Sequence, residues 1–197
     1  AVLALAGDFK TEEALAKIRK HFESIPSQPP PPPVDTTEPE QTAERRFTME
    51  DPLARVPQLI IGYKGITGNT LDFYAMQVLN QALASGQSSR LYQQLVKEKE
   101  LVTSVFGAIR EMRGPGFYVL QASLVPGKKF EDVEAVVDKE IARIQQEPIA
   151  DWELEKAKNS SRRSSIQSLQ STLGVAIRLS QFAVFYNDPT LINTQFQ

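Results

Sequence analysis

Residues 103–125 read TSVFGAIREMRGPGFYVLQASLV. Two β-prone stretches, Thr103–Met112 and Phe117–Val125, flank Arg113-Gly114-Pro115-Gly116, a tip rich in turn-forming residues, so the segment predicts an antiparallel hairpin. Upstream, Arg45–Glu50 and Gln58–Tyr63 read as strands, the second carrying the apolar run Leu59-Ile60-Ile61. Between the strand pairs, Leu71, Tyr74, Ala75, Val78, Leu79, Ala82 and Leu83 recur at helical spacing. A Gly/Ser turn at Ser85–Ser89 leads into a second helix through Leu91, Leu95 and Val96. Downstream, Phe130, Val133, Val137, Ile141 and Ile144 mark another helix. After Pro148, Asp151 is placed to cap a long helical region carrying Ile166, Leu169, Leu173, Ile177 and Val184, with Gly174 as a bend point.

At the start of the chain, Val2–Ala6 reads as a short buried strand ended by Gly7-Asp8. A chain opening directly on such a strand is expected to be a piece of a longer protein. Thr11 then predicts an N-cap, followed by a helix with Ala14, Leu15, Ile18, Phe22 and Ile25 on one face and Pro26 as its stop. Residues 26–44, with the run Pro29–Pro33, predict an extended surface connector, a reading preferred over an SH3-type ligand. The element order is therefore β-α-β-β-α-α-β-β-α-α. Adjacent strand pairs with helices between them predict an α+β two-layer sandwich, a mixed or antiparallel sheet with helices packed on one face. A doubly wound nucleotide fold requires strict β-α alternation and is disfavoured.

Composition narrows the chemistry. The 197 residues fit one domain, 1–197, and 41% hydrophobic content supports a core. A net charge of −2 gives no basic excess for nucleic acid or an anionic membrane, and no apolar run reaches the length of a membrane span. There is no Cys, so disulfides and thiolate metal sites are excluded. The single His, His21, cannot supply a two-His zinc set, and a Ser-His-Asp arrangement would also have to pass through it. Its place beside Phe22 reads as a boundary histidine on a core-facing helix.

One loop stands out. Gly86-Gln87-Ser88-Ser89-Arg90-Leu91 places glycine and two hydroxyls before a helix, where backbone N–H groups can meet an anion or a peptide carboxylate. The plainer reading makes Ser88 or Ser89 an N-cap and leaves Arg90 solvated. The loop lacks the G-x-x-x-x-G-K-S/T pattern of a nucleotide loop. Lys97–Glu100 reads as a solvated helix face, and Arg162-Arg163 amid serines is too small for a nucleic-acid patch.

Taken together, several segments resemble the C-terminal, non-metal domain of one half of an M16 metallopeptidase, the pitrilysin and mitochondrial-processing-peptidase family. Val2–Phe9 resembles the strand that opens that domain. Gly86–Leu95 is similar to the family's G-x-S-S-R-L-(Y/F)-x-x-L motif, followed at the expected distance by Lys97–Leu101 and a strand. Gly114–Tyr118 resembles the next strand turn, and Glu153–Asn159 the E-L-x-x-A-K-N start of a late helix.

The resemblance implies a fold of the LuxS/MPP-like metallohydrolase type, with zinc bound not in this chain but by an H-x-x-E-H motif in a preceding domain. It implies a non-catalytic role in a peptide-binding chamber. The expected partners are the peptide substrate, the preceding zinc domain and a second M16 half, in the same chain or a separate subunit. Ser88, Ser89 and Arg90 become candidate substrate-binding residues. The alternative is a structural core-type subunit of the same fold with no peptidase activity. Where some family halves carry a substrate-contacting Arg and Tyr, this chain has Val96 and Thr103, so that role is not carried over. The family's closing strand and helix are not matched before Gln197, and a periplasmic or otherwise exported setting is implied by the resemblance only.

Overall fold

Gln58–Thr67 (β1), Val102–Ile109 (β2) and Pro115–Leu124 (β3) form an antiparallel three-stranded sheet in the order β1-β3-β2. It is seen in a computed structural model that describes every residue except Pro30, Pro33, Thr36, Glu38, Arg113 and Gln195–Gln197. The expected hairpin is present as β2 and β3, with Ile109 opposite Tyr118 and Phe106 opposite Gln121. The Arg113 position in its tip lies outside the described residues. Gly65 is fixed by a close approach: a Cβ there would stand 2.6 Å from the Phe117 amide nitrogen.

Alternation sorts β3 into two faces. Tyr118, Leu120, Ala122 and Leu124 are buried, while the residues between them are exposed or half-buried. The buried face packs with Leu83, Leu91, Leu95, Val102, Val133 and Val137 into one core. Leu83 comes from Leu71–Leu83 (α2), Leu95 from a π-helix Tyr92–Glu98 with Leu91 just before it, Val133 and Val137 from Phe130–Gln146 (α3), and Val102 from the start of β2. Thr70 caps α2 by accepting the Phe73 amide at 3.2 Å, and the C-terminal end of α2 is bonded to β2. The Gly107 amide of β2 donates to the Ala84 carbonyl, while Asn80 Nδ2 donates to the Gly107 carbonyl at 3.0 Å. Tyr118 donates its hydroxyl to Asn80 Oδ1, and burial raises its pKa, so the phenol stays protonated as a donor. The fold is thus α+β, with helices covering one face of the sheet.

The described residues fall into two compact units, Phe47–Gln167 and the segments Ala1–Arg46 with residues 168–194. The first holds the sheet and most of Asp151–Ser168 (α4). The second holds Thr11–Phe22 (α1), Thr172–Tyr186 (α5) and Leu191–Thr194 (α6). Among the described residues no helix is long and apolar enough to cross a membrane.

Several local expectations are corrected. Val2–Ala6 and Arg45–Glu50 are not strands, because a strand exists only through a neighbour's hydrogen bonds and no ladder reaches either run. The α1 helix forms, but Lys10 precedes it as cap residue without a side-chain bond and Thr11 is already helical. None of its residues is buried, so His21 is exposed rather than at a core boundary. The late helical region is two helices, not one bent at Gly174. Ser171 accepts the Gly174 amide at 3.0 Å and starts α5 afresh. Of its expected stripe, Ile166, Leu173, Ile177 and Val184 are exposed and Leu169 is half-buried, while Phe182 is fully buried. Pro29, Pro31 and Pro32 are exposed and lack regular structure, while Pro30 and Pro33 lie outside the described residues.

Candidate functional site

The loop between α2 and the π-helix turns on Gly86, whose φ of +79° favours glycine. Ser89 is fully buried. Its hydroxyl donates to the Gly86 carbonyl at 2.7 Å, and its own carbonyl accepts the Gln93 amide at 3.0 Å. Ser89 therefore closes the loop with its hydroxyl rather than accepting a helix N–H with its side chain, and the residue just before the π-helix, Leu91, makes no side-chain cap bond. Ser88 beside it is exposed. The helix then widens: the Lys99 amide reaches back five residues to the Gln94 carbonyl, a π-type bond.

Arg90 is not solvated. Its side chain is 12% exposed and forks onto Glu153, itself 4% exposed. Nε donates to Oε1 at 2.8 Å and Nη2 to Oε2 at 2.7 Å. A planar guanidinium meeting a carboxylate through two parallel bonds is the strongest ion-pair geometry available to side chains. Glu153 sits in the first turn of α4 and also accepts the Ala150 amide at 2.8 Å, so one carboxylate caps a helix and holds the loop. The Arg90 bond lowers the Glu153 pKa against the opposing effect of burial, and the same bond raises that of Arg90. Farther along α4, Lys156 donates to the Ser85 carbonyl at 3.2 Å, with its pKa lowered by burial. Ala157 is fully buried.

The S-S-R-L and E-L-x-x-A-K-N segments, distant in sequence, thus form one joint. Sequence reading singled out both but missed Glu153 and Lys156 as partners of the loop. The signal was available in an acid at the third position of a helix and an arginine beside an apolar helical stripe. Ser88, Arg90, Glu140, Arg143 and Trp152 line a shallow hollow of about 190 Å³ at this joint. Here Arg90 Nη1 and Glu140 Oε2 are buried without a hydrogen bond, and Arg143 Nη1 stands 3.9 Å from Glu140 Oε2.

The open face of the sheet has a different character. From the register, its rows across β1, β3 and β2 are Gln58–Ser123–Ser104, Ile60–Gln121–Phe106, Gly62–Val119–Ala108, and Lys64–Phe117 with Arg110 beside it. Ile60 is 63% exposed, Phe106 56% and Phe117 46%. Large apolar side chains stand on both sides of the small row Gly62–Val119–Ala108.

The residues present do not fit a zinc ion. His21 is exposed on α1, and among the described residues no group of three or more His, Cys, Asp or Glu is arranged to hold a metal. Val96 is partly buried against the core, and Thr103 donates its hydroxyl to the Ser123 carbonyl.

Residues 1–161 match the profile of the peptidase M16 inactive domain. Zinc protease PqqE of Helicobacter pylori is 24% identical over 186 residues, covering 93% of this chain and 42% of that protein. A zinc protease of Mycobacterium leprae is 28% identical over 187 residues, covering 94% of this chain and 42% of that protein. The chain thus spans less than half the length of these curated relatives. The crystal structure of a protease from Helicobacter pylori superposes with a TM-score of 0.84 at 24% identity, covering 98% of this chain and 46% of that one. At that identity the likeness shows the fold.

Proposed function

The chain belongs to the peptidase M16 inactive-domain family, and from that membership we propose that it forms the wall of a peptide-binding chamber in a zinc metalloendopeptidase. In this reading residues 1–197 act as one C-terminal-type domain without chemistry of its own. The zinc is held by a preceding domain, and a second M16 half, in the same chain or a separate subunit, completes the chamber.

One observation carries the reading: the sheet is sealed by helices on one side and open on the other, where Ile60, Phe106 and Phe117 remain exposed. Apolar side chains clustered on an otherwise unpacked sheet face mark a contact surface rather than a core. We assign the open face to peptide. The loop Ser88–Arg90 divides in role: Ser89 and Arg90 hold the domain's shape, and exposed Ser88 is the loop residue open to peptide.

The test is cleavage of an unstructured peptide by the parent-length protein, with and without a chelator, beside the 197-residue chain. Chelator-sensitive cleavage by the parent, none by the chain, and loss of parental cleavage in Phe106→Asp are expected. Cleavage by the chain alone, or full activity in Phe106→Asp, would overturn the reading. A folded parent that cleaves nothing would favour a structural subunit.

A further inference from the structure

We propose that the hollow at the loop joint binds the carboxamide of a glutamine side chain carried on a peptide. The proposal goes beyond the chamber-wall reading and uses none of the open-face residues. The hollow lies among the Ser88–Arg90 loop, α3 and the first turn of α4, with a volume of about 190 Å³. Small-molecule pockets begin at roughly 300 Å³, so this one is of side-chain size.

Two buried atoms on its wall call for opposite partners. Arg90 commits Nε and Nη2 to Glu153, which leaves Nη1 as a buried donor without an acceptor. Glu140 is 4% exposed, and its Oε2 is a buried acceptor without a donor. Arg143 Nη1 stands 3.9 Å from that oxygen, too far for a hydrogen bond. A buried polar atom left unmet costs more than an ordinary hydrogen bond gains, so an occupant that meets both atoms is favoured.

The charges around the hollow choose the occupant. Glu140 repels an entering carboxylate, and Arg90 and Arg143 repel an entering ammonium. A neutral carboxamide carries an accepting oxygen and a donating NH2, so it can accept from Arg90 Nη1 and donate to Glu140 Oε2. Trp152, exposed on the same wall, offers an apolar ring to the methylene stem. A free amino acid would bring its ammonium and carboxylate toward the same charges, whereas a peptide backbone stays outside the shallow hollow.

The experiment measures fluorescence anisotropy of the 197-residue chain with short glycine–serine peptides labelled with fluorescein. Each carries one central residue: glutamine, methionine, glutamate or lysine. The glutamine peptide is expected to bind about tenfold tighter than the methionine peptide, which has a similar shape and lacks both polar functions. The two charged peptides should bind more weakly than glutamine. Glu140→Met removes the acceptor at similar size and should erase the glutamine advantage without lowering the thermal midpoint. Trp152→Ala changes an exposed position, spares the fold and should weaken the glutamine peptide alone. Equal binding of the four peptides would show that solvent meets the two buried atoms and would overturn the site. Tightest binding by glutamate or lysine, or a glutamine advantage that survives both variants, would overturn it as well. Free L-glutamine that competes as well as the unlabelled peptide would overturn the peptide as its source.

Discussion

Strand β3 has one face that holds the protein together and another that does not. Tyr118, Leu120, Ala122 and Leu124 on the first are at most 5% exposed and touch α2, the π-helix and α3 through the common core. Phe117, Val119, Gln121 and Ser123 on the second are exposed or half-buried, and Phe117 is 46% exposed. The same alternation of side chains created both faces. Only the first gains from leaving water, so stability selects its residues, while apolar residues on the second must be retained for another reason.

The comparison breaks or holds by substitution. Leu124 is fully buried, and Leu124→Ala should cost about 4 kcal/mol by lost transfer energy and the cavity left behind, read as a shifted denaturant midpoint. Arg90→Ala, in the joint beside that core, should cost about 3 kcal/mol because it strands a buried carboxylate. Joint replacement Arg90→Met with Glu153→Leu should recover most of the loss, since apolar pairs of similar size replace buried ion pairs well. A loss equal to that of Arg90→Ala alone would mean that Glu153 acts mainly as the cap for α4.

The same pair sets an acid limit. Because the folded Glu153 pKa is lowered, its contribution is complete above the ordinary value of about 4.3 and is lost as pH falls through the depressed folded value. Arg90→Met/Glu153→Leu should therefore flatten the stability profile below about pH 4. An unchanged acid slope would assign that loss to other carboxylates. The smallest effect belongs to the open face: Ile60→Ser should change stability by no more than about 0.5 kcal/mol. A cost of several kcal/mol would show that this face is packed in the folded chain and would remove the basis of the comparison.

Much of this was legible before any coordinates. β1, α2, the β2–β3 hairpin and α3 each carry their own periodicity and punctuation, and each formed near its expected limits. The helices α1 and α3 show where that legibility stops. Both are amphipathic with acids in the first turn and basic residues in the last. Yet α3 buries Val133, Val136 and Val137, and α1 buries nothing. Periodicity states which side of a helix is apolar, but it cannot state whether anything covers that side. Val2–Ala6 and Arg45–Glu50 failed for the related reason that strand-like composition does not provide a strand neighbour.

The candidate site divides in the same way. Sequence alone determined that Ser88, Ser89 and Arg90 stand at a helix entrance, that one His and no Cys cannot build the usual zinc set, and that paired strands favour a mixed or antiparallel sheet. Tertiary structure decided that Arg90 is locked onto Glu153, that Ser89 folds its hydroxyl back to Gly86, and that Ile60, Phe106 and Phe117 share one open face. Local order follows from short-range sterics and hydrogen bonding, which neighbouring residues fix. The partner of a buried charge and the cover of an apolar face come from residues far along the chain, and folding alone brings them together.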